Sequence, residues 1–441
     1  MSGRTTRAHL AAVVFVVAFS LAPSPQAGAG AEEPASNAAA EFSFDAYGGA
    51  LRVPVTFNAV AYNFLLDTGS AVSAFDPTLS SLLIETLQKS RLSTENGTRV
   101  LSLYRSPEGK IGQVRLPSLE RVHCIDLGAA PFPLRKLHGC LGTEAMRSYI
   151  LRVDYDRGKV AFLRSVPRDA GVRVELDKRN DLTAIQGTVG GSVRTLVLDT
   201  GGRCYGAGLI ARRGFGEMLA RRELVLVGTV PARSAFGMDL RRVGVATVPL
   251  SIAGYRHAAL SFAEGADDSD ECTLGVGYLR RYILTFDFPN YAVYFAPGAQ
   301  FRRVDASFDP GGVMLRRDGE RVVVYAVAGA AEKAGVKVND ILEAVNARDA
   351  AKLDDIALTC LLSKSDRPTS MDFRRATDAG IIRFVYDVQA ELQRMLHGLN
   401  GRTQTAETAS PANGGTSRAQ RGLFGRFRKR SKTPRLLLGE E

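Results

Sequence analysis

The segment Phe64-Leu65-Leu66-Asp67-Thr68-Gly69-Ser70 returns as Thr195-Leu196-Val197-Leu198-Asp199-Thr200-Gly201-Gly202, with the two aspartates 132 positions apart. A second pair of blocks shares nearly the same offset. Leu141-Gly142 opens LGTEAMRSYILRVDYDRGKVAFL and Leu274-Gly275 opens LGVGYLRRYILTFDFPNYAVYFA. They align without a gap, so Tyr149, Ile150, Leu151, Asp154 and Phe162 fall on Tyr282, Ile283, Leu284, Asp287 and Phe295. Two blocks with one spacing mark tandem copies of a unit of about 130 residues. Whatever fold this chain takes, it must accommodate the same unit twice.

The unit reads as mostly β. Leu51-Arg52-Val53-Pro54-Val55-Thr56-Phe57 alternates apolar and polar residues, and a second such run ends at Leu66, the pattern of half-buried strands. Val189-Gly190-Gly191-Ser192 stands in the second copy where Phe57-Asn58-Ala59-Val60 stands in the first, as a turn before the strand into Asp199. Residues 76–90 read as a short helix. Residues 99–104 and 110–116 read as a hairpin around Ser106-Pro107-Glu108-Gly109. Between 211 and 261 the correspondence of the copies fades, which predicts that the second has its own loops.

An apolar strand ending in Asp-Thr-Gly, followed by an apolar-apolar-Gly segment, resembles one lobe of the pepsin and retropepsin superfamily of aspartic proteases. Cys140-Leu141-Gly142 and Thr273-Leu274-Gly275 stand at the second motif. A single Asp-Thr-Gly is ordinary turn chemistry; two of them, each followed at one distance by a matching block, are specific. The resemblance implies a bilobal pepsin-like double β-barrel, with lobe 1 at 40–166 and lobe 2 at 167–300. It makes Asp67 and Asp199 the catalytic pair. Thr68, Gly69, Ser70, Thr200 and Gly201 would support the two loops, Ser70 by hydrogen-bonding the nearby carboxylate, which Gly202 has no side chain to do. Tyr104 is the matching candidate for the tyrosine of a flap over the cleft. With both lobes in one chain, a monomer suffices for the site. The expected ligands are protein or peptide substrates, and no cofactor or metal is expected.

From Gly311 the pattern changes. A strand, then Ala334-Gly335-Val336, then Asn339-Asp340-Ile341-Leu342-Glu343-Ala344-Val345-Asn346, resembles a bacterial-type PDZ domain over 308–388, a small α+β unit, with Val336 and Asn339 replacing the usual Leu and Gly. That family adds a peptide strand to a sheet edge, so the resemblance implies a peptide ligand near Gly312, Val313 and Met314. Residues 354–362 would be the helix flanking the groove.

Residues 1–31 have the layout of a signal peptide: Arg4, Arg7 and His9, an apolar run from Leu10 to Ala22, then small residues. The chain is therefore expected to be exported, to the periplasm, cell envelope or exterior. Export permits disulfides, and among five cysteines Cys124 with Cys140 and Cys204 with Cys272 would each stay within one lobe. With five histidines, no zinc-spaced cluster and no Gly-x-Ser-x-Gly elbow, metal and serine-triad chemistry have no support. The formal charge of +11 gathers in the tail, where 389–441 carries ten Lys or Arg against four Glu. Nucleic-acid binding is thus not expected of the folded part. The tail reads as disordered and solvated, with a weak envelope or membrane-surface contact as its alternative. The rival to a protease is a catalytically inactive peptide-binding or scaffold protein of the envelope.

Overall fold

The computed structural model describes residues 37–44, 51–94, 97–127, 137–178, 181–202, 206–234, 237–266, 271–302, 312–353, 368–377 and 380–387, with 358, 361–362 and 390. The signal-like segment, Cys204, most of the acidic loop at 267–271, most of 354–362 and the basic tail past 390 lie outside the described residues.

Two nine-stranded sheets repeat one strand order. In the first it runs Ile84–Thr94, Gly97–Arg105, Val122–Cys124, Ala74–Phe75, Gly139–Leu141, Val60–Leu66, Arg52–Phe57, Gly109–Ile111, Val114–Leu116. In the second it runs Leu224–Ser234, Gly237–Ala246, Ser261–Glu264, Gly208–Ile210, Cys272–Leu274, Ser192–Leu198, Ala184–Val189, Leu250–Ile252, Tyr255–His257. Every strand has a counterpart, including across 211–261. The strand order is kept where the residue identities are not, because a strand position asks only for alternating burial, whereas the connections differ: the helix Arg212–Ala220 stands where the first copy has a 3-10 turn over Pro77–Leu82.

The copies share a six-stranded sheet ordered Ala38–Ser43, Lys159–Leu163, Ile150–Asp154, Tyr282–Asp287, Ala292–Pro297, Val172–Glu175. At its centre the two aligned blocks pair with each other antiparallel, Leu151 opposite Phe286 and Val153 opposite Leu284. The two aligned aspartates close the turns that follow. Asp154 accepts from the N–H groups of Asp156 and Arg157, and Asp287 from that of Asn290. One continuous apolar core runs from Leu51 through Phe64, Leu66, Phe162 and Leu198 to Phe295.

The turn before each Asp-Thr-Gly strand is a two-residue hairpin loop. Phe57 pairs with Val60 and Val189 with Ser192, and both central residues of each turn have positive φ: 48° and 66° at Asn58 and Ala59, 61° and 83° at Gly190 and Gly191. That is the type I′ pattern, whose twist matches the strands it joins.

Three expectations are corrected. Residues 76–90 form a 3-10 turn over Pro77–Leu82, capped by the Asp76 carboxylate, and then the long strand Ile84–Thr94. The helical periodicity is broken at Leu87, which has φ 61° inside a bulge between Glu85 and Lys89. Strand Gly97–Arg105 pairs with Ile84–Thr94, while Gly109–Ile111 pairs with Val114–Leu116, so 99–104 and 110–116 are not hairpin partners. Cys124, Cys140 and Cys272 are free thiols. The strand Ala74–Phe75 lies between the strands of Cys124 and Cys140. Two strand spacings, about 9.5 Å, exceed the reach of a disulfide. Cys272 is buried in the second sheet.

A fourth sheet, in the order Val313–Asp318, Arg321–Val327, Ile341–Val345, Thr369–Arg374, Ile381–Tyr386, encloses its own core of Val313, Leu315, Val322, Val324, Leu342 and Phe373. Gly312 has φ 85°, and a Cβ there would overlap the Ala328 carbonyl. Among the described residues no helix is long and apolar enough to cross a membrane, and no group of three His, Cys, Asp or Glu could hold a metal ion.

His257 gives the second sheet an acid limit. It is buried against Tyr278, Tyr282 and Phe301, its Nε2 is 2.5 Å from the Tyr282 hydroxyl, and burial, helped by Arg281, pushes its pKa down to about 4. The folded state keeps this ring neutral, whereas the unfolded chain takes up a proton near 6.5. Its contribution to stability is therefore complete above 6.5 and is lost as pH falls toward 4, with at most one proton's linkage slope. Melting temperatures of the wild type and His257→Asn should converge between pH 7 and pH 4. Curves that stay parallel would remove His257 as the cause.

Candidate active site

Each Asp-Thr-Gly turn sits at the end of a strand clamped on both sides. Val60–Leu66 lies between Arg52–Phe57, antiparallel, and Gly139–Leu141, parallel; Ser192–Leu198 lies between Ala184–Val189 and Cys272–Leu274 in the same way. The Asp67 N–H donates to the Leu141 carbonyl at 3.0 Å and the Asp199 N–H to the Leu274 carbonyl at 2.9 Å. The apolar-apolar-Gly segments thus hold the aspartate backbones from behind. Thr143 N–H then donates to Ser70 O, and Val276 N–H to Gly202 O, closing the far side of each loop.

The two turns interlock through their threonines. The Thr68 hydroxyl donates to the Leu198 carbonyl at 2.6 Å and accepts from the Thr200 N–H at 3.1 Å. The Thr200 hydroxyl donates to the Leu66 carbonyl at 2.8 Å and accepts from the Thr68 N–H at 3.1 Å. Both side chains are fully buried. Four hydrogen bonds in a dry interface fix the turns against each other with no freedom to slide.

That lock sets the carboxyls face to face. The Asp199 carboxyl stands against Gly69 and the Asp67 carboxyl against Gly201, and side-chain hydrogen bonding from Asp199 is among the causes that lower the Asp67 pKa. Two carboxyl groups make such a bond only if one of them carries a proton. A Cβ on Gly69 would overlap the Asp199 carboxyl, and one on Gly201 would overlap that of Asp67. Neither glycine has an unusual φ; it is the approach of the opposite carboxyl that requires them. Gly69 N–H donates to Asp67 Oδ1 at 2.9 Å, and Gly202 N–H donates to Asp199 Oδ1 at 2.6 Å. Burial raises the Asp67 pKa from its ordinary 3.8, and the bonds from Asp199, Gly69, Cys140 and Gly201 oppose that rise without reversing it.

The remaining expected residues fall elsewhere. The Ser70 hydroxyl donates to the Val72 carbonyl at 2.8 Å, so the expected bond to the carboxylate is corrected: Ser70 braces its own loop. Gly202 contributes through its backbone N–H what it lacks in a side chain. Tyr104 lies opposite Glu85 and Val122, at the base of the first long hairpin and half-buried against the main core. The last printed pair of that hairpin, Thr94 with Gly97, lies at its other end. Val313 and Met314 begin the edge strand of the fourth sheet, and Gly312 immediately precedes it.

Cys140 is the neighbour that pattern reading took for a motif position and a disulfide candidate, not for a partner of Asp67. Its thiol approaches Asp67 Oδ2 at 3.5 Å as a donor, at the position held by Thr273 in the second copy. Burial, with Asp67 next, pushes its pKa well above 9, so it remains a thiol and is no nucleophile. The signal was there to read: Cys140 and Thr273 each bring a polar hydrogen to an apolar position of the motif. Glu144, two residues past Gly142, accepts from the Ser73 N–H at 2.5 Å and holds the loop beyond Ser70. Its copy-two counterpart is Gly277.

No curated protein matches the chain. Residues 53–145, which contain the first Asp-Thr-Gly turn and the Leu141-Gly142 segment that holds it, match the model of the aspartyl protease family.

Proposed function

We propose that the chain is an exported aspartic endopeptidase with a pepsin-like pair of lobes at 40–166 and 167–300, joined to a PDZ domain at 308–388 that recognises substrate or partner peptides. The single observation that carries this reading is the pair of Asp-Thr-Gly turns locked by Thr68 and Thr200, with each carboxyl of Asp67 and Asp199 set against the glycine of the opposite turn.

Hydrolysis of a peptide bond needs one group to take a proton from water and another to give one to the carbonyl oxygen. Two carboxyls sharing one proton supply both at once, a behaviour for which the aspartic protease pair is the standing illustration. The ionised oxygen takes the proton of the attacking water. The protonated one donates to the peptide oxygen as the tetrahedral carbon forms; as the C–N bond breaks, the proton taken from water passes to the leaving nitrogen and a hydroxyl proton of the tetrahedral carbon returns to the carboxylate, which restores the shared proton. No covalent intermediate and no cofactor are required. The titration belongs to the pair. The Gly69, Gly202 and Cys140 donors each hold one carboxyl oxygen in place, which leaves the proton between the aspartates as the mobile one.

The strand Val313–Asp318 is a sheet edge and so supports peptide capture by strand addition. The basic tail, a solvated segment in this reading, would add at most a weak envelope contact.

The test is cleavage of a denatured protein mixture by the full chain between pH 3 and 8, with and without a statine-type inhibitor, whose hydroxyl mimics the tetrahedral oxygen. Cleavage blocked by the inhibitor is the expected result. A folded chain that cleaves nothing at any pH would discard the enzyme and leave a peptide-binding protein of the envelope.

A further inference from the structure

The two nine-stranded sheets end in equivalent long hairpins, yet the hairpins differ in what covers them. In Ile84–Thr94, no residue from 84 to 92 is buried, and Leu87 is 92% exposed. In Leu224–Ser234, the three successive residues Val230, Pro231 and Ala232 are all buried. Successive strand residues point to opposite faces, so this ribbon is covered on both sides. One side belongs to the small cluster of Val230, Val243, Leu209 and Ala263 within the second sheet.

The cover on the other side comes from the C-terminal unit. Leu224–Ser234 lies against the strands Val313–Asp318 and Arg321–Val327 and the short helix Gly329–Lys333. The unit has a matching feature. Met314, Val323 and Ala326 are buried but stand outside its own core, which takes Val313, Leu315, Val322 and Val324 from the same two strands. Met314 and Ala326 are cross-strand partners. The C-terminal sheet therefore has an apolar second face, and the hairpin of the second copy is the element that lies on it.

We infer that the C-terminal unit is a clamp on one of two equivalent hairpins: docked through Met314, Val323 and Ala326, it holds 224–246 in place, whereas 84–105 has no such hold. The asymmetry is absent from the strand order, which is duplicated, and enters only through the appended unit. A peptide strand added to the edge of Val313–Asp318 would bear on the strand that carries Met314, which ties peptide capture to the hold on the hairpin. The docking does not depend on the protease reading.

Hydrogen exchange on the full chain tests the docking without any assay of cleavage. Amides of 224–246 should exchange at least about ten-fold more slowly than those of 84–105, because local opening there must also undock the unit. Met314→Glu should bring 224–246 to the rate of 84–105 and leave 84–105 unchanged. Pro231→Glu, on the face opposite Val230, attacks the same contact from the hairpin side and covers the case in which Met314→Glu unfolds the C-terminal unit. Equal exchange of the two hairpins in the wild type would overturn the clamp. So would slow exchange of 224–246 that survives both variants.

Discussion

Asp67→Asn is expected to lower kcat/KM by at least about 10³-fold, since a general acid–base pair that loses its exchangeable proton forfeits most of what such catalysis contributes, while the protein stays folded. Asp199→Asn should do the same. The stability of Asp67→Asn should also differ from the wild type in a pH-dependent way, and the sign follows from burial. The folded state holds the Asp67 proton more tightly than the unfolded chain, because its pKa is raised from 3.8. Such a carboxyl stabilises the fold at low pH and loses that contribution as pH rises through its folded value. Asparagine cannot ionise. The variant should therefore gain in melting temperature relative to the wild type on going from pH 4 to pH 8, even as activity disappears. Retained cleavage would sink the paired-aspartate mechanism. A constant difference in melting temperature across that range would sink the burial argument alone.

Thr68→Ala is expected to destabilise the chain by about 2–4 kcal/mol, because it strands two buried groups, the Thr200 N–H and the Leu198 carbonyl, at roughly 1–3 kcal/mol each. Thr200→Ala strands the Thr68 N–H and the Leu66 carbonyl and should cost a similar amount. The discriminating variant is Thr68→Ser. It keeps the hydroxyl that makes both bonds and loses only a methyl group, about 1 kcal/mol. Urea unfolding of the three variants would show Ser near wild type and both Ala variants well below it. A serine as damaging as alanine would mean that methyl packing, and not the crossed hydrogen bonds, holds the turns together. Activity should follow the alignment, since a displacement of about 1 Å between reacting groups costs on the order of 10²-fold.

These effects concentrate in residues that the sequence exposes through repetition. Asp67 and Asp199, with their threonines and glycines, could be read directly because a tight turn facing its own copy admits few alternatives. Thr offers a hydroxyl that both donates and accepts, and Gly leaves space for the opposite carboxyl. The type I′ turns before them were legible for a similar reason: Gly190 and Gly191 announce a positive φ, although Asn58 and Ala59 reach the same conformation without glycine.

Other features had no local signature. Whether Gly97–Arg105 pairs forward to 110–116 or back to Ile84–Thr94 depends on which partner lies beside it, and both choices satisfy the alternation. Ser70 had a carboxylate and a carbonyl within reach, and loop geometry selected the Val72 carbonyl. Cys124 and Cys140 looked like partners along the chain until a strand came between them.

The sequence by itself determined that the chain is a duplicated, strand-rich unit with two equivalent Asp-Thr-Gly turns, because period, turn chemistry and motif spacing are properties of neighbours along the chain. Only the tertiary structure decided that the two turns meet through four crossed hydrogen bonds. It also decided that a cysteine touches one carboxyl, and that of two equivalent hairpins just one is covered. Each of these depends on distances between segments far apart in the chain, which are fixed when the sheets close on their shared core and not before.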